Sequence, residues 1–281
     1  MPLDLRLLRR LCSLTSHGHH AAQRLWRHRL TSLGLIRVTT TYGFEIIVDP
    51  SDHLGWEYAM YGCFEAAASA LLWDVLRDGG DFADVGANHG WFSLLAAARL
   101  RGSGAAVYSF EPQKRLCDLI EASAEFNGFE HLTVVRAAVG EQRLKGNLDR
   151  KSARHSGLVS VAVDSAGAID IVTLDDYFTK KKAPVAVKID VEGSELRVLR
   201  GMKQLLSRPE LRWLYLEVHP PLLAQIGDTY VDVLDMLRLS KFNVAVLSGA
   251  ATLPKTGSAV AQHVVNETVP SFHVVARRSL A

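Results

Sequence analysis

The sequence predicts an α/β protein: a mostly parallel sheet with helices on both faces and an antiparallel last strand. Three observations carry this. Short apolar runs alternate with helix-like runs from residue 81 to 248, the pattern of parallel strands joined by covering helices. The first such strand runs into a glycine-punctuated bend in "DFADVGANHGWF" (81–92). The final two strand-like runs have no helical pattern between them, so they pair antiparallel.

Residues 1–33 read as one or two basic helices around 3–11 and 21–30. The β-branched runs of 36–49 flank Tyr42-Gly43, a hairpin signal. Residues 64–80 have apolar residues at helical spacing and stop at Gly79-Gly80. From there strands are expected at 82–85, 106–110, 132–139, 169–174, 185–190, 211–218, 242–248 and 271–278. Helices are expected at 91–100, from Pro112 to 127 (proline's missing donor costs nothing at a helix start), after Asp175-Asp176, at 194–207 and at 230–240. The stretches 141–168 and 249–270 read as loops that wall the acceptor site, with 150–157 either a lid or plain disorder. The chain thus divides into a basic extension (1–35), a hairpin and leading helix (36–80) and the α/β core (81–281).

The chain has 281 residues, 48% of them hydrophobic, and no apolar run long enough to span a membrane. Cys12, Cys63 and Cys117 are scattered and odd in number, which fits neither a disulfide framework nor a zinc site, so a cytoplasmic setting is expected. Residues 1–44 carry seven arginines and one acid, Asp4, a net +6; against +2 overall, the rest sums to −4. Such a start suits a membrane-surface helix, a transit peptide or a solvated helix. The acidic body argues against a nucleic-acid partner.

In an open α/β sheet, ligands bind beyond the C-terminal ends of the strands. The first strand ends at Val85, and Gly86-Ala87-Asn88-His89-Gly90 leads into a helix. Dinucleotide sites want G-x-G-x-x-G and P-loops want G-x-x-x-x-G-K-[ST]; this bend has neither. Asp84 at the strand end would repel a pyrophosphate and suit an ammonium or sulfonium. The missing β-carbons of Gly86 and Gly90 would let a ligand lie on the backbone. Glu111, at the end of the second strand, is placed to accept ribose hydroxyls. A nucleoside cofactor without phosphates fits both ends: S-adenosylmethionine.

"DVGANHG" (84–90), "YSFEP" (108–112), "VTLDDYF" (172–178), "VKIDVEGSELRVLRGM" (187–202) and "YLEVHP" (215–220) resemble, in order, the FkbM-type class I methyltransferases. "YGCFEAA" (61–67) resembles the segment leading that family's first helix. The resemblance implies a Rossmann-like, seven-stranded class I fold and methyl transfer from S-adenosylmethionine to a hydroxyl of a sugar, glycolipid or polyketide-type molecule. It further implies that Asp84, Gly86, Ala87, Asn88 and Gly90 line the methionine part and that Glu111, with Pro112 beside it, holds the ribose. Glu65 would contact the cofactor amine, or else serve as a helix N-terminal acid. His89 has no family role and reads as a solvent-facing loop residue.

Asp190, Glu217 and His219 lie at neighbouring strand ends and converge on the acceptor side. His219 is a candidate general base oriented by a carboxylate. Alternatively the three ligate magnesium or manganese, or Asp190 and Glu217 cap helices or pair with Lys188 and Arg197. Lys188 points to the same side as Asp190 and needs a carboxylate partner if buried. Glu195 and Arg197 read as an exposed helix start. Two other readings compete: a non-catalytic cofactor-binding scaffold, and a nucleic-acid methyltransferase. The latter would carry an aromatic-proline motif where this chain has "KIDVEG".

Overall fold

The computed structural model describes residues 32, 34–150, 159–247 and 269–278. Strands β1 (Ile36–Thr39) and β2 (Glu45–Val48) form the expected hairpin, turned at Gly43 with φ +83°. An unforeseen helix follows, α1 (His53–Tyr61), capped by Asp52, whose side chain accepts from the Leu54 amide at 3.1 Å. Then come α2 (Ala66–Val75), β3 (Phe82–Val85), α3 (Trp91–Arg99), β4 (Val107–Phe110) and α4 (Lys114–Asn127). Pro112 precedes α4 rather than opening it.

The expected strand 132–139 is two strands. β5 (Leu132–Val135) stays in the main sheet, while β6 (Ala138–Val139) leaves it. β6 pairs with β9 (Ile169–Val172), and with β7 (Leu144–Arg150) and β8 (Val159–Val163) they build a separate four-stranded sheet, ordered β6-β9-β7-β8. Within the expected loop 141–168, residues 144–150 and 159–163 are therefore strand. After α5 (Leu174–Phe178) and β10 (Ala186–Ile189), the helix expected at 194–207 is broken into α6 (Glu195–Arg200) and α7 (Lys203–Ser207). At the break, a β-carbon on Gly201 would sit 2.0 Å from the Gly140 carbonyl oxygen. The chain continues through β11 (Trp213–Val218), α8 (Pro220–Gln225), α9 (Tyr230–Leu239), β12 (Asn243–Leu247) and β13 (Phe272–Arg277).

The central sheet has seven strands in the order β12-β13-β11-β10-β3-β4-β5. β11, β10, β3, β4 and β5 are parallel, and β13 is wedged antiparallel between β11 and β12. This is the seven-stranded sheet that the resemblance implies; of the eight strand-like runs read from the pattern, the one that becomes β9 joins the smaller sheet.

Two apolar cores flank the sheet. Ala83, Val85, Val187, Ile189, Leu214 and Leu216 pack with α6, α7 and α9. Phe82, Val107 and Ala186 face the other way, onto the hairpin, α1, α2 and α3. The basic start (1–31) and residues 151–158 and 248–268 lie outside the described residues. No helix among the described residues is long and apolar enough to cross a membrane.

Candidate functional site

Strand register assembles the site. Ser109 of β4 sits beside Asp84 of β3, Asp84 beside Lys188 of β10, and Lys188 beside Tyr215 of β11. Because side chains alternate along a strand, these four lie on one face, in a polar row across the sheet. One step nearer the C-terminal ends, Glu217 stands opposite His273 of β13.

A cavity of about 730 Å³ opens above these strand ends. Gly86, Ala87, Asn88, Glu111 and Pro112 wall one side. Glu65, Lys188, Asp190, Glu192 and Glu217 wall the other. Leu144, Val161 and Val163 of the small sheet, with Ile226, add an apolar surface.

Asp84 was expected to face this crevice. It is fully buried and does not line the cavity; one carboxylate oxygen accepts from Ser93 Oγ at 2.7 Å and the other lies 3.6 Å from Lys188 Nζ. Lys188 Nζ also donates to the Gly86 carbonyl and to Asp190 Oδ2, each at 3.1 Å. Burial alone would lower the Lys188 pKa, but Asp190, Asp84 and Glu65 raise it, so the ammonium stays charged. A buried ammonium survives only with such partners. Asp84 and Lys188 thus pin the first residue of the bend to the end of β10.

The glycines also answer to the protein. A β-carbon at Gly86 (φ +76°) would fall 1.8 Å from the Asp190 carbonyl oxygen, and one at Gly90 (φ +80°) would meet the Ile120 side chain at 2.7 Å. They make room for β10 and α4 rather than for a ligand, and Gly90 lies outside the cavity wall. Asn88 takes the left-handed region as well, at φ +54°, which asparagine tolerates better than most residues.

Glu111 joins the two loops. Its Oε2 accepts from the Asn88 amide and its Oε1 from the Gln113 amide, both at 2.9 Å. Burial pushes its pKa up to about 7, against the opposing pull of those amides. Each oxygen keeps acceptor capacity toward the cavity. Glu65 precedes α2 in a left-handed conformation (φ +38°) and makes no capping hydrogen bond. Its Oε2 instead accepts from the Tyr215 hydroxyl at 3.2 Å, and burial pushes its pKa to about 7.

His89, expected in solvent, is fully buried. Its ring packs edge-on to Tyr58, its Nδ1 donates to Asn88 Oδ1 at 2.7 Å, and burial lowers its pKa to about 4. Glu195, expected on an exposed helix start, is also fully buried and accepts from His219 Nδ1 at 2.8 Å.

His219 lies behind the cavity wall, with Nε2 3.5 Å from Glu217 and 3.7 Å from Glu192. Burial alone would lower its pKa, but the hydrogen bond to Glu195 and the Glu217 and Glu192 carboxylates raise it to about 11. Those carboxylates favour the protonated imidazole, which weighs against a role as general base; the groups that touch the cavity are the carboxylates. The expected ion ligands change too. The cluster whose ligand atoms lie within 4.8 Å of one another is Asp190, Glu192 and His219, with Glu192 in the place expected for Glu217. One signal for these corrections was in the sequence: Glu192 and Glu195 stand three apart across Gly193-Ser194, at the turn where β10 gives way to a helix.

The "Methyltransferase FkbM domain" family model matches residues 84–244, from Asp84 at the end of β3 into β12. The chain belongs to the FkbM methyltransferase family. Among solved structures, an FkbM methyltransferase from Methylobacillus flagellatus KT has 17% identity and a TM-score of 0.42, covering 71% of this chain and 44% of its own. A precorrin-6y C5,15-methyltransferase from Geobacter metallireducens GS-15 has 12% identity and a TM-score of 0.43, over 75% of this chain and 87% of its own. An rRNA methylase from Streptococcus thermophilus has 14% identity and a TM-score of 0.45, over 75% and 93%. No curated protein sequence matches the chain. The seven-stranded sheet with β13 reversed beside β11 is the class I methyltransferase arrangement.

Proposed function

We propose that the protein methylates a hydroxyl oxygen of a small-molecule or glycan acceptor, using S-adenosylmethionine. The observation that carries this reading is the charge of the cavity wall. Glu65, Glu111, Asp190, Glu192 and Glu217 face it, and Lys188 beneath them is already neutralised by Asp84 and Asp190. A pyrophosphate would be repelled there; a sulfonium and an ammonium would be attracted. Membership of a methyltransferase family points the same way.

Glu111 would accept from the ribose hydroxyls, while the backbone of Gly86, Ala87 and Asn88 and the carboxylate of Glu65 would hold the amino-acid end. Bound S-adenosylmethionine supplies the electrophilic methyl carbon. Asp190, Glu192 and Glu217 orient the acceptor hydroxyl in line with that carbon, and one of these carboxylates takes its proton. His219 positions Glu192 and Glu217 from behind. The apolar surface of Leu144, Val161, Val163 and Ile226 takes the body of the acceptor. The test is calorimetric binding of S-adenosylmethionine paired with label transfer to a panel of sugars, glycolipid precursors and polyketide alcohols, with RNA as a control. Binding without turnover on any acceptor would favour a cofactor-binding scaffold, and turnover only on RNA would overturn the acceptor class.

One observation favours a second reading of the acceptor side. His219 spends Nδ1 on buried Glu195 and turns Nε2 toward Glu192, the posture of a metal-ligating histidine with a carboxylate behind it. A magnesium or manganese ion held by Asp190, Glu192 and His219 would stand in for the imidazolium proton and would lower the acceptor's pKa. Manganese titration monitored by electron paramagnetic resonance, on the protein and on Glu192→Gln, tests this directly: no bound manganese removes it.

A further inference from the structure

Glutamate is an unusual residue at a helix start, where serine, threonine, aspartate and asparagine lead. Glu65 takes that place before α2, in a left-handed conformation that strains a non-glycine residue, yet its carboxylate does no capping. It faces the cavity instead. The hydrogen bond that aims it comes from Tyr215 of β11, 150 residues further along the chain. The same hydroxyl also contacts Nδ1 of His273 on β13, and the His273 ring lies against the Tyr215 ring with centroids 5.4 Å apart. Neither Tyr215 nor His273 lines the cavity.

A tyrosine hydroxyl has one proton to donate. If Tyr215 gives it to a Glu65 carboxylate, the tyrosine oxygen is left as acceptor and His273 must carry its proton on Nδ1. If Tyr215 gives it to His273 Nδ1, nothing is donated to Glu65, and Glu65 meets the hydroxyl only as a protonated acid. The chain Glu65–Tyr215–His273 therefore has two consistent proton arrangements, and only the first leaves an anion at the cavity wall. We propose that Tyr215 and His273 are positioning residues for the cofactor, holding Glu65 as an aimed carboxylate for the ammonium end of S-adenosylmethionine. This rests on the reading of the cavity as that cofactor's site.

The surroundings weigh on the same choice. Lys188, from β10, favours the anion; Asp190, just after β10, and Glu217, on β11, oppose it. Tyr58 of α1 lies close enough for its own ionisation to feel Glu65. Burial lowers the His273 pKa, against the pull of Glu217 and Asp190, which favours the neutral ring that donates a single proton. A bound ammonium adds one more positive charge and tips the chain to the first arrangement.

The experiment is a double-mutant cycle on binding: S-adenosylmethionine affinity by calorimetry from pH 5.5 to 8.5 for the full chain, Glu65→Gln, Tyr215→Phe and the double variant, with circular dichroism confirming that each is folded. Tyr215→Phe should bind about tenfold more weakly at pH 7, the range for a hydrogen bond to a charged group. Its pH profile should shift upward, because the carboxylate has lost a donor. Glu65→Gln should lose that shift, leaving the profile set by Glu111, and the double variant should bind no more weakly than Glu65→Gln alone. Nitrogen NMR of His273 in the bound protein should show the proton on Nδ1. Full additivity in the cycle, an unshifted profile for Tyr215→Phe, or the proton on Nε2 would each overturn the proposal while leaving cofactor binding intact. A full chain that binds no S-adenosylmethionine would overturn the functional reading with it.

Discussion

On one face of the central sheet, Ala83, Val85, Val187, Ile189, Leu214 and Leu216 meet α6, α7 and α9 with no polar side chain among them. On the other face, the same strands carry Ser109, Asp84, Lys188 and Tyr215 in register. The first face is held by area removed from water, roughly 1.5–3 kcal/mol for each fully buried large aliphatic side chain. The second gives up that gain over a row of four strands and depends on charges that satisfy one another. Through Lys188 it also reaches the cavity wall. The difference separates what holds the sheet together from what the sheet presents.

The sharpest way to break the comparison is Lys188→Met. It leaves Asp84 buried without its ammonium, so unfolding free energy should fall by about 3–5 kcal/mol. The Gly86 carbonyl also loses its donor, and S-adenosylmethionine affinity should fall at least tenfold in the protein that remains folded. Leu216→Ala, on the other face, should cost a comparable 2–5 kcal/mol in urea unfolding while the folded fraction binds with unchanged affinity. If both variants lose affinity alike, the two faces are not functionally distinct.

Glu111→Gln removes the cavity charge but keeps one of the two acceptor oxygens. We expect a tenfold to hundredfold weaker cofactor, from the ~1.5–3 kcal/mol of hydrogen bonds to a charged group, and a lower melting point, because the amide nitrogen cannot accept from the backbone N–H it would face. The pH dependence has two opposite signs. The Glu111 pKa rises on folding from 4.5 to about 7, so its contribution to stability is full below pH 4.5 and is lost as pH rises through 7. The ligand-free protein should therefore become less stable from pH 5 to 8, while affinity for S-adenosylmethionine, which needs the carboxylate, should increase. Scanning calorimetry with and without cofactor reads both.

The smallest effect is expected at Ser109. Its hydroxyl is buried without a hydrogen bond, so Ser109→Ala should be neutral or stabilising by up to about 1 kcal/mol. A large loss would mean that the row works as one network rather than through the Asp84–Lys188 pair.

The sheet was legible because its strands are short, apolar and separated by helices at regular intervals. The position of Lys188 beside Asp190 was legible from the period of two. The small sheet was not, because "LKGNLDR" carries glycine, asparagine and aspartate, residues depleted in strands. The α6–α7 break was hidden because Gly201 fits a helix as well as a break; the Gly140 carbonyl that presses on it lies in another segment. The glycines of the bend were visible, but not their reason, since the groups they admit, Asp190 and Ile120, come from elsewhere in the fold. The full set of carboxylates around His219 was hidden for a related cause. The histidine's proximity to acids could be read from "LEVH", but the number of carboxylates around it, and the burial of Glu195, are tertiary facts.

Calorimetric titration of S-adenosylmethionine into the intact protein and Glu111→Ala at pH 8 tests the central claim most directly. The account predicts a single saturable site in the intact protein and loss of that binding in the variant. No binding to the intact protein, or equal affinity in the two, would contradict it.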